Sequence, residues 1–97
     1  MKSKKILIKS FEIEDRYFII NDKDEKKYFL EIKDGSVVAD IKTEEDIDVG
    51  IRYLEPGDIV KLYGNKINFN KFIIKKIYIK TKYKFDSESS DDFSFFY

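Results

Sequence analysis

The segment Pro56–Lys76, PGDIVKLYGNKINFNKFIIKK, predicts two antiparallel strands joined by a polar turn. The first strand is predicted over Asp58–Gly64, where apolar and polar residues alternate. The second is predicted over Lys71–Lys82, after a turn at Lys66–Asn70. Gly64 is expected at a sharp bend of the first strand, because a side chain there would obstruct the coiling of the strand.

The sequence before this hairpin divides into short strands separated by turn signals. The Asp34-Gly35 pair predicts a two-residue hairpin turn, since Gly tolerates the positive φ that such a turn requires. The polar residues 22–25 predict a second turn. The strands predicted here are Lys4–Ser10, Arg16–Asn21, Lys27–Lys33 and Ser36–Ile41. The segment Arg16–Asn21 either continues the first strand after a bend or begins a second.

A short helix is predicted between the third strand region and the hairpin. Thr43 stands where an N-cap would be, and three acidic residues follow it in the turn where the helix dipole favours acids. Ile47, Ile51 and Leu54 then fall on one helical face. The turn at residues 55–58 would end this helix.

Three strands, a short helix and two strands are the element order of the oligonucleotide/oligosaccharide-binding (OB) fold. The hairpin segment resembles the fourth and fifth strands of that family, with a Gly-Asp turn, a Val-rich strand, a bend Gly, a polar turn and an apolar strand. The resemblance implies an all-β, five-stranded Greek-key barrel over residues 1–85 with one short helix between strands 3 and 4. The matching positions are Gly57, Asp58, Val60, Leu62, Gly64, Asn68–Lys71 and Ile73–Ile79.

The charges balance over the chain but not along it. There are 19 basic and 19 acidic residues, for a formal net charge of zero. Residues 1–9 carry four Lys and no acid, residues 10–58 carry a net charge of −8, and residues 59–85 carry eight Lys and no acid. The last twelve residues carry four acids and no base. Such asymmetry bears on binding partners and not on the fold.

Lysines and aromatic residues are interleaved in the acid-free region, as single-stranded nucleic acid binding requires for phosphates and stacked bases. The alternative is a structural role, in which each Tyr covers the outer surface and each Lys solvates it. Adjacent lysines at 75 and 76 interrupt the alternation and predict a bulge. The predicted binding residues here are Lys61, Tyr63, Lys66, Phe69, Lys71, Lys76, Tyr78 and Lys80. The first three strands, the usual ligand face of the OB fold, add Lys9, Phe11, Arg16, Tyr17, Lys27, Phe29 and Lys33.

The last segment, Asp86–Tyr97 (DSESSDDFSFFY), is predicted to be disordered when free. Acidic residues followed by terminal aromatic residues resemble the tails of phage and prokaryotic single-stranded DNA-binding proteins. The resemblance implies a tail that recruits replication and repair proteins and competes with nucleic acid for the protein's own basic surface. The alternative is that the aromatic residues pack on this domain or on a second copy. The predicted partner-binding residues are Asp91, Asp92, Phe93, Phe95, Phe96 and Tyr97.

The absence of Cys and His excludes disulfides, zinc fingers, thiol nucleophiles and His-based acid–base catalysis. We therefore expect no enzyme, no catalytic residue, no metal and no cofactor. Asp22 and Asp24 resemble the start of a calcium loop, but the required Gly and closing Glu are missing, so a turn is predicted. The short apolar runs and the basic N-terminus predict no membrane span and no signal peptide, hence an intracellular protein, cytoplasmic, nuclear or viral.

A second hypothesis remains open from the sequence. It is an OB-type protein–protein interaction subunit of a larger complex, with the tail as a docking peptide and a homo-oligomer as one arrangement. Within the first hypothesis, DNA and RNA are not distinguished, because the contact with the RNA 2′-OH leaves no signature in so short a chain.

Overall fold

The computed structural model describes residues 1–68 and 71–83, so the predictions for Phe69 and for the tail lie outside the described residues. Those residues are almost entirely β-structure, with one three-residue 3-10 turn at Ile51–Tyr53. No helix among them has the length and apolar character needed to cross a membrane. The strands are β1 (Lys2–Glu14), β2 (Tyr17–Asp22), β3 (Lys27–Lys33), β4 (Ser36–Val37), β5 (Asp40–Thr43), β6 (Ile59–Asn68) and β7 (Lys71–Thr81).

Five strands form a closed ring in the order β1-β2-β3-β7-β6. The long strand β1 serves two neighbours, because its first half pairs with β6 and its second half pairs with β2. A register irregularity at Lys9 separates the two halves. The ring closes where β3 and β7 meet in parallel at Phe29 and Ile73, whereas its other contacts are antiparallel. Outside the ring, β5 pairs in parallel with β7, and β4 pairs with β3.

The core fills the inside of the ring with side chains from alternate positions of each strand. In β6, Val60 and Leu62 are fully buried while Lys61 and Tyr63 lie on the outer side, which confirms the predicted alternation. Burial of this apolar area is the main stabilising contribution to a domain of this size. The largest core side chains come from all five ring strands: Ile6, Ile8, Ile20, Tyr28, Leu30, Val60, Leu62, Phe72, Ile74, Ile77 and Ile79.

The bulge predicted at the adjacent lysines is confirmed. Tyr63 pairs with Lys76, whereas the next residue, Gly64, pairs with Ile74, so Lys75 is the extra residue of β7. Because of this bulge, two consecutive lysines lie outside the core. The two-residue turn at residues 34–35 is also confirmed, with positive φ at both positions between the paired strands β3 and β4.

The helix predicted between Thr43 and Leu54 is wrong. Only the 3-10 turn at Ile51–Tyr53 is helical between β5 and β6. The physical reason is low helix propensity, since the segment combines Asp, β-branched residues and Gly50 in a stretch too short to be helical without tertiary support. In addition, Asp46 has a φ of +67°, which is incompatible with a continuing right-handed helix.

Thr43 organises a tight turn instead of capping a helix. Its backbone N–H donates to the carbonyl of Ile47 at 2.9 Å, and its hydroxyl accepts the N–H of Ile47 at 3.2 Å. The chain then returns along β5, where the Val49 N–H donates to the Ile41 carbonyl at 2.9 Å. Residues 46–49 therefore cover part of the open edge of β5.

Candidate nucleic-acid interface

Two of the predicted lysines and two of the predicted tyrosines form one patch on the outer side of β6 and β7. Cross-strand pairing places Lys61 opposite Tyr78 and Tyr63 opposite Lys76. The Lys61 Nζ lies 5.4 Å from the centroid of the Tyr63 ring, and the Lys76 Nζ lies 5.0 Å from that of Tyr78. The two rings are 6.1 Å apart and nearly perpendicular. These four residues are called the β6–β7 patch below.

A second cluster joins three strands on the outer side of the ring. The rings of Tyr17 and Phe29 meet edge to face at 5.4 Å, and the Lys71 Nζ lies 4.5 Å and 5.1 Å from their centroids. Ile19 and Ile73 are buried at neighbouring register positions, so the rings rest on an apolar base. Tyr17, Phe29 and Lys71 are called the Tyr17–Phe29 cluster below. Both rings are half-buried and keep part of their surface in solvent.

The lysines of the acid-free region divide into two groups. In the described part of the chain, Lys61, Lys71 and Lys76 lie over aromatic rings and have no carboxylate within 4.0 Å. By contrast, Lys75 lies 3.6 Å from a Glu31 oxygen and Lys80 lies 3.2 Å from one of Glu44. Lys66, on the exposed end of β6, also has no ion pair with a described residue. Three of these four unpaired ammonium groups, those of Lys61, Lys71 and Lys76, therefore lie beside half-buried aromatic rings.

The remaining candidates of the first three strands are placed less uniformly. Lys9 forms an ion pair with Glu25, and Lys27 forms one with Glu12, so carboxylates offset both charges. The Phe11 ring packs on Phe18 with centroids 5.3 Å apart and adjoins the core, away from the two surface clusters. Two further candidates are exposed: Arg16 lies in the turn between β1 and β2, and Lys33 lies at the end of β3.

Glu12 lies in a polar network on the outer side of β1 and β2. Asn21 donates its side-chain N–H to a Glu12 oxygen at 2.7 Å and to the Ser10 hydroxyl at 3.2 Å. The hydrogen bonds from Lys27 and Asn21 lower the pKa of the Glu12 carboxyl below its usual value. This carboxylate is thus held in its charged form and neutralised locally by Lys27.

The turn predicted at residues 22–25 is confirmed, and Asp22 organises it. One carboxylate oxygen accepts the N–H groups of Asp24 and Lys26 at 2.8 Å and 3.0 Å, and the other accepts the Tyr28 hydroxyl at 2.9 Å. Burial acts to raise the pKa of Asp22, but these hydrogen bonds outweigh it, so the pKa lies below the usual value. Burial and the bond to this carboxylate raise the pKa of Tyr28. Both carboxylate oxygens are occupied by protein donors.

Acid is expected to destabilise the protein partly through Asp22. The pKa of Asp22 is lower in the folded chain than in the unfolded chain, where it is about 3.9. The ionised carboxylate therefore stabilises the fold, and this stability is lost as pH falls through the folded-state pKa. In Asp22→Asn this group cannot titrate. Measured by urea unfolding, the free-energy difference between the two proteins should be constant above about pH 5 and shrink below about pH 4. An unchanged difference throughout would contradict this assignment.

Asp58 is a buried charged residue whose role the sequence pattern did not reveal. Its carboxylate accepts the N–H of Tyr83, the N–H of Glu55 and the Lys82 ammonium, each at 2.8 Å. Lys82 also donates to the carbonyl of Tyr53. The sequence shows only that Asp58 stands directly before a strand without acidic residues, and such a position by itself predicts only a turn. Asp58 thus joins the turn before β6 to the two residues that follow β7, Lys82 and Tyr83.

The two surface clusters are able to neutralise phosphates and to offer aromatic faces for stacking. No group of three or more Asp or Glu side chains in residues 1–68 and 71–83 is arranged to hold a metal ion. The chain matches no protein-family model, no curated protein and no solved structure. Its function is therefore inferred from the geometry of its own residues.

Proposed function

We propose that this protein binds single-stranded nucleic acid, DNA or RNA, with low sequence specificity. The binding surface consists of the β6–β7 patch and the Tyr17–Phe29 cluster. The observation that supports this is the placement of Lys61, Lys71 and Lys76 over aromatic rings, with no carboxylate partner in the described part of the chain. Such binding has two requirements: cations along the path of the nucleic-acid backbone, and exposed aromatic rings on which bases stack.

In this mechanism a base replaces an ammonium group on the ring face. A cation–π contact at an exposed site contributes about 0.5–1 kcal/mol, whereas a stacked base contributes about 1–3 kcal/mol. The exchange is therefore favourable, and the released Lys side chain is free to pair with the adjacent phosphate. Because every base has a π face, stacking of this kind gives little sequence preference.

We also propose that the ring of strands is an OB-type Greek-key barrel. The ring order, with the first three strands closed by the last two and a parallel contact between β3 and β7, supports this assignment. Tyr17 begins β2 and Lys71 begins β7. The Tyr17–Phe29 cluster thus lies beside the β1–β2 and β6–β7 connections, which bind ligand in OB folds.

The tail Asp86–Tyr97 is the second part of the proposal. It recruits replication or repair proteins through its aromatic end, and its acids compete with nucleic acid for the basic surface. Its four acids, set against the eight Lys of residues 59–85, support the competition. The covalent link to the domain supports it too, because it keeps the tail at a high effective concentration. Asp58 binds Tyr83, the last described residue before the tail.

The test is a titration of labelled oligo-dT with the full chain at several salt concentrations. If about four phosphates are neutralised, the logarithm of the affinity should fall with the logarithm of salt concentration with a slope of about −3. Removal of residues 86–97 should tighten binding at each salt concentration. Absence of binding at low salt, with and without the tail, would overturn the proposal.

The alternative function is a protein–protein interaction subunit of a larger complex, with the tail as its docking peptide. The observation that favours it is an apolar groove at one end of the ring, which is described in the next subsection. A partner captured by the full chain but not by a variant lacking Phe93–Tyr97, together with no oligonucleotide binding, would support this alternative over nucleic acid binding.

A further inference from the structure

One end of the ring carries an open apolar groove. It lies between the end of β1, the start of β2, the β3–β4 hairpin and residues 49–52. Its volume is about 610 Å³. That volume is within the range of about 300–1,000 Å³ found for ligand pockets. Its apolar lining comes from Ile13, Phe18, Val37, Ala39, Val49 and Ile51.

The groove leaves apolar side chains exposed to solvent. Ile13 pairs with Phe18 across β1 and β2 at core-facing positions, yet Ile13 is 72% exposed, because the ring wall continues past the end of the core. Contiguous exposed apolar surface bordered by polar residues is typical of an interaction site. Arg52, at the border of the groove, is exposed and has no carboxylate partner among residues 1–68 and 71–83.

We propose that this groove binds the aromatic end of the chain's own tail, Phe93–Tyr97. The first argument is the position of Tyr83, the last described residue before the tail. The Tyr83 N–H is bound to Asp58, and the neighbouring Lys82 donates to the carbonyl of Tyr53. The residue before Tyr53 is Arg52 of the groove, so the end of the described chain at Tyr83 lies near the groove.

The second argument is the length of the connecting chain. Phe93 follows Tyr83 by ten positions, and an extended chain spans about 3.3–3.6 Å per residue, so the aromatic end is able to reach the groove without strain. A short connection of this kind gives an effective concentration on the order of millimolar. Binding within one molecule is therefore favoured over binding between molecules at ordinary protein concentrations.

The third argument is chemical complementarity. Asp91 and Asp92 directly precede the aromatic residues, so carboxylates would approach the Arg52 guanidinium as the rings enter the groove. In an extended segment Phe93 and Phe95 share a face, which allows both rings to contact one apolar surface. Each buried ring removes a large apolar area from water.

This site is distinct from the proposed nucleic-acid surface, since the groove shares no residue with the β6–β7 patch or the Tyr17–Phe29 cluster. When it is bound in the groove, the aromatic end is withheld from protein partners. The groove thereby sets the fraction of molecules whose tail is available for docking. This inference concerns the tail and the domain alone and does not require nucleic acid binding.

The test compares methyl NMR spectra of the full chain and of the full-length variant Phe93→Ser/Phe95→Ser/Phe96→Ser. Methyl resonances of Ile13, Val49 and Ile51 should shift between the two proteins, independently of protein concentration, while those of Val60 should not. When Arg52→Glu is introduced into both proteins, the shifts between them should be smaller. Its matched control is Lys23→Glu, the same charge change at an exposed position in the turn at residues 22–25, away from the groove.

Three outcomes would overturn the inference. Shifts that grow with protein concentration would show that the groove binds the tail of a second copy. Shifts confined to the β6–β7 patch would place the tail on the basic surface, and the absence of any shift would leave the groove without this occupant. Because no nucleic acid is present, failure here and failure of the oligonucleotide titration are separate results.

Discussion

Replacement of Gly64 by Ala is expected to lower the free energy of unfolding by about 3 kcal/mol, at the upper end of the usual cost of overpacking. Gly64 lies in β6 beside the bulge of β7. An ideal Cβ at this position would lie 2.0 Å from the Ile73 carbonyl oxygen and 2.9 Å from Cε1 of Phe72. The closer atom belongs to the backbone of the paired strand, so β6 and β7 must separate to admit even a methyl group.

Urea unfolding followed by far-UV circular dichroism measures this loss. Gly50→Ala is the matched control, because a Cβ at Gly50 meets no atom within 4 Å and its φ of −90° suits any residue. That substitution should leave stability unchanged or raise it by about 0.4–1 kcal/mol through the unfolded state. Equal unfolding midpoints for the two variants would contradict the close approach of the strands.

Asp58→Ala is expected to cost about 3–5 kcal/mol, the usual range when one partner of a buried ion pair is removed. The substitution leaves the N–H groups of Glu55 and Tyr83 without their acceptor and removes the carboxylate partner of Lys82. Each buried donor that loses its partner costs about 1–3 kcal/mol. The turn before β6 and the end of β7 are then no longer joined.

The same unfolding measurement tests this expectation. Asp48→Ala is the matched control, since it removes a carboxylate that is 82% exposed and pairs only with Lys42 on the surface. Its effect should be much smaller than that of Asp58→Ala, because an exposed pair contributes little. Similar losses in the two variants would show that the Asp58 interactions do not join these segments.

The features predicted correctly from the sequence have local causes. The turn at residues 34–35 follows from the conformational freedom of Gly, and the bulge at Lys75 follows from an interrupted alternation. The turn and the bulge each depend on a few consecutive residues. At Gly64 the sequence predicts a bend that a side chain would obstruct, and the close approach of Ile73 in the paired strand is a feature that only the structure reveals.

The features that were missed depend on pairing between distant segments. The alternation of Ile6 and Ile8 would place Phe11 on the outer side, but the register irregularity at Lys9 shifts the pattern by one residue and turns Phe11 towards the core. The helix after Thr43 was predicted from local signals alone, whereas the chain turns back there along β5, a strand that is held in place by parallel pairing with β7.

The candidate site shows the same division. The sequence indicates that lysines and aromatic residues are interleaved, but it does not indicate which lysines are neutralised by carboxylates from other strands. Glu12 and Glu25 neutralise Lys27 and Lys9 across 15 or 16 residues of sequence. The Tyr17–Phe29 cluster likewise draws its three members from three strands.

The most direct test of the central claim compares oligo-dT binding by two full-length triple variants with the same loss of charge. Lys61→Gln/Lys71→Gln/Lys76→Gln removes the lysines of the two clusters, and Lys4→Gln/Lys23→Gln/Lys26→Gln removes three exposed lysines that pair with no residue of either cluster. The first variant should bind at least about tenfold more weakly at low salt, and the slope of its log affinity against log salt concentration should be closer to zero by about 2. The second variant should bind with nearly the affinity and slope of the original protein. Equal affinities for the two variants would contradict a binding surface formed by these clusters.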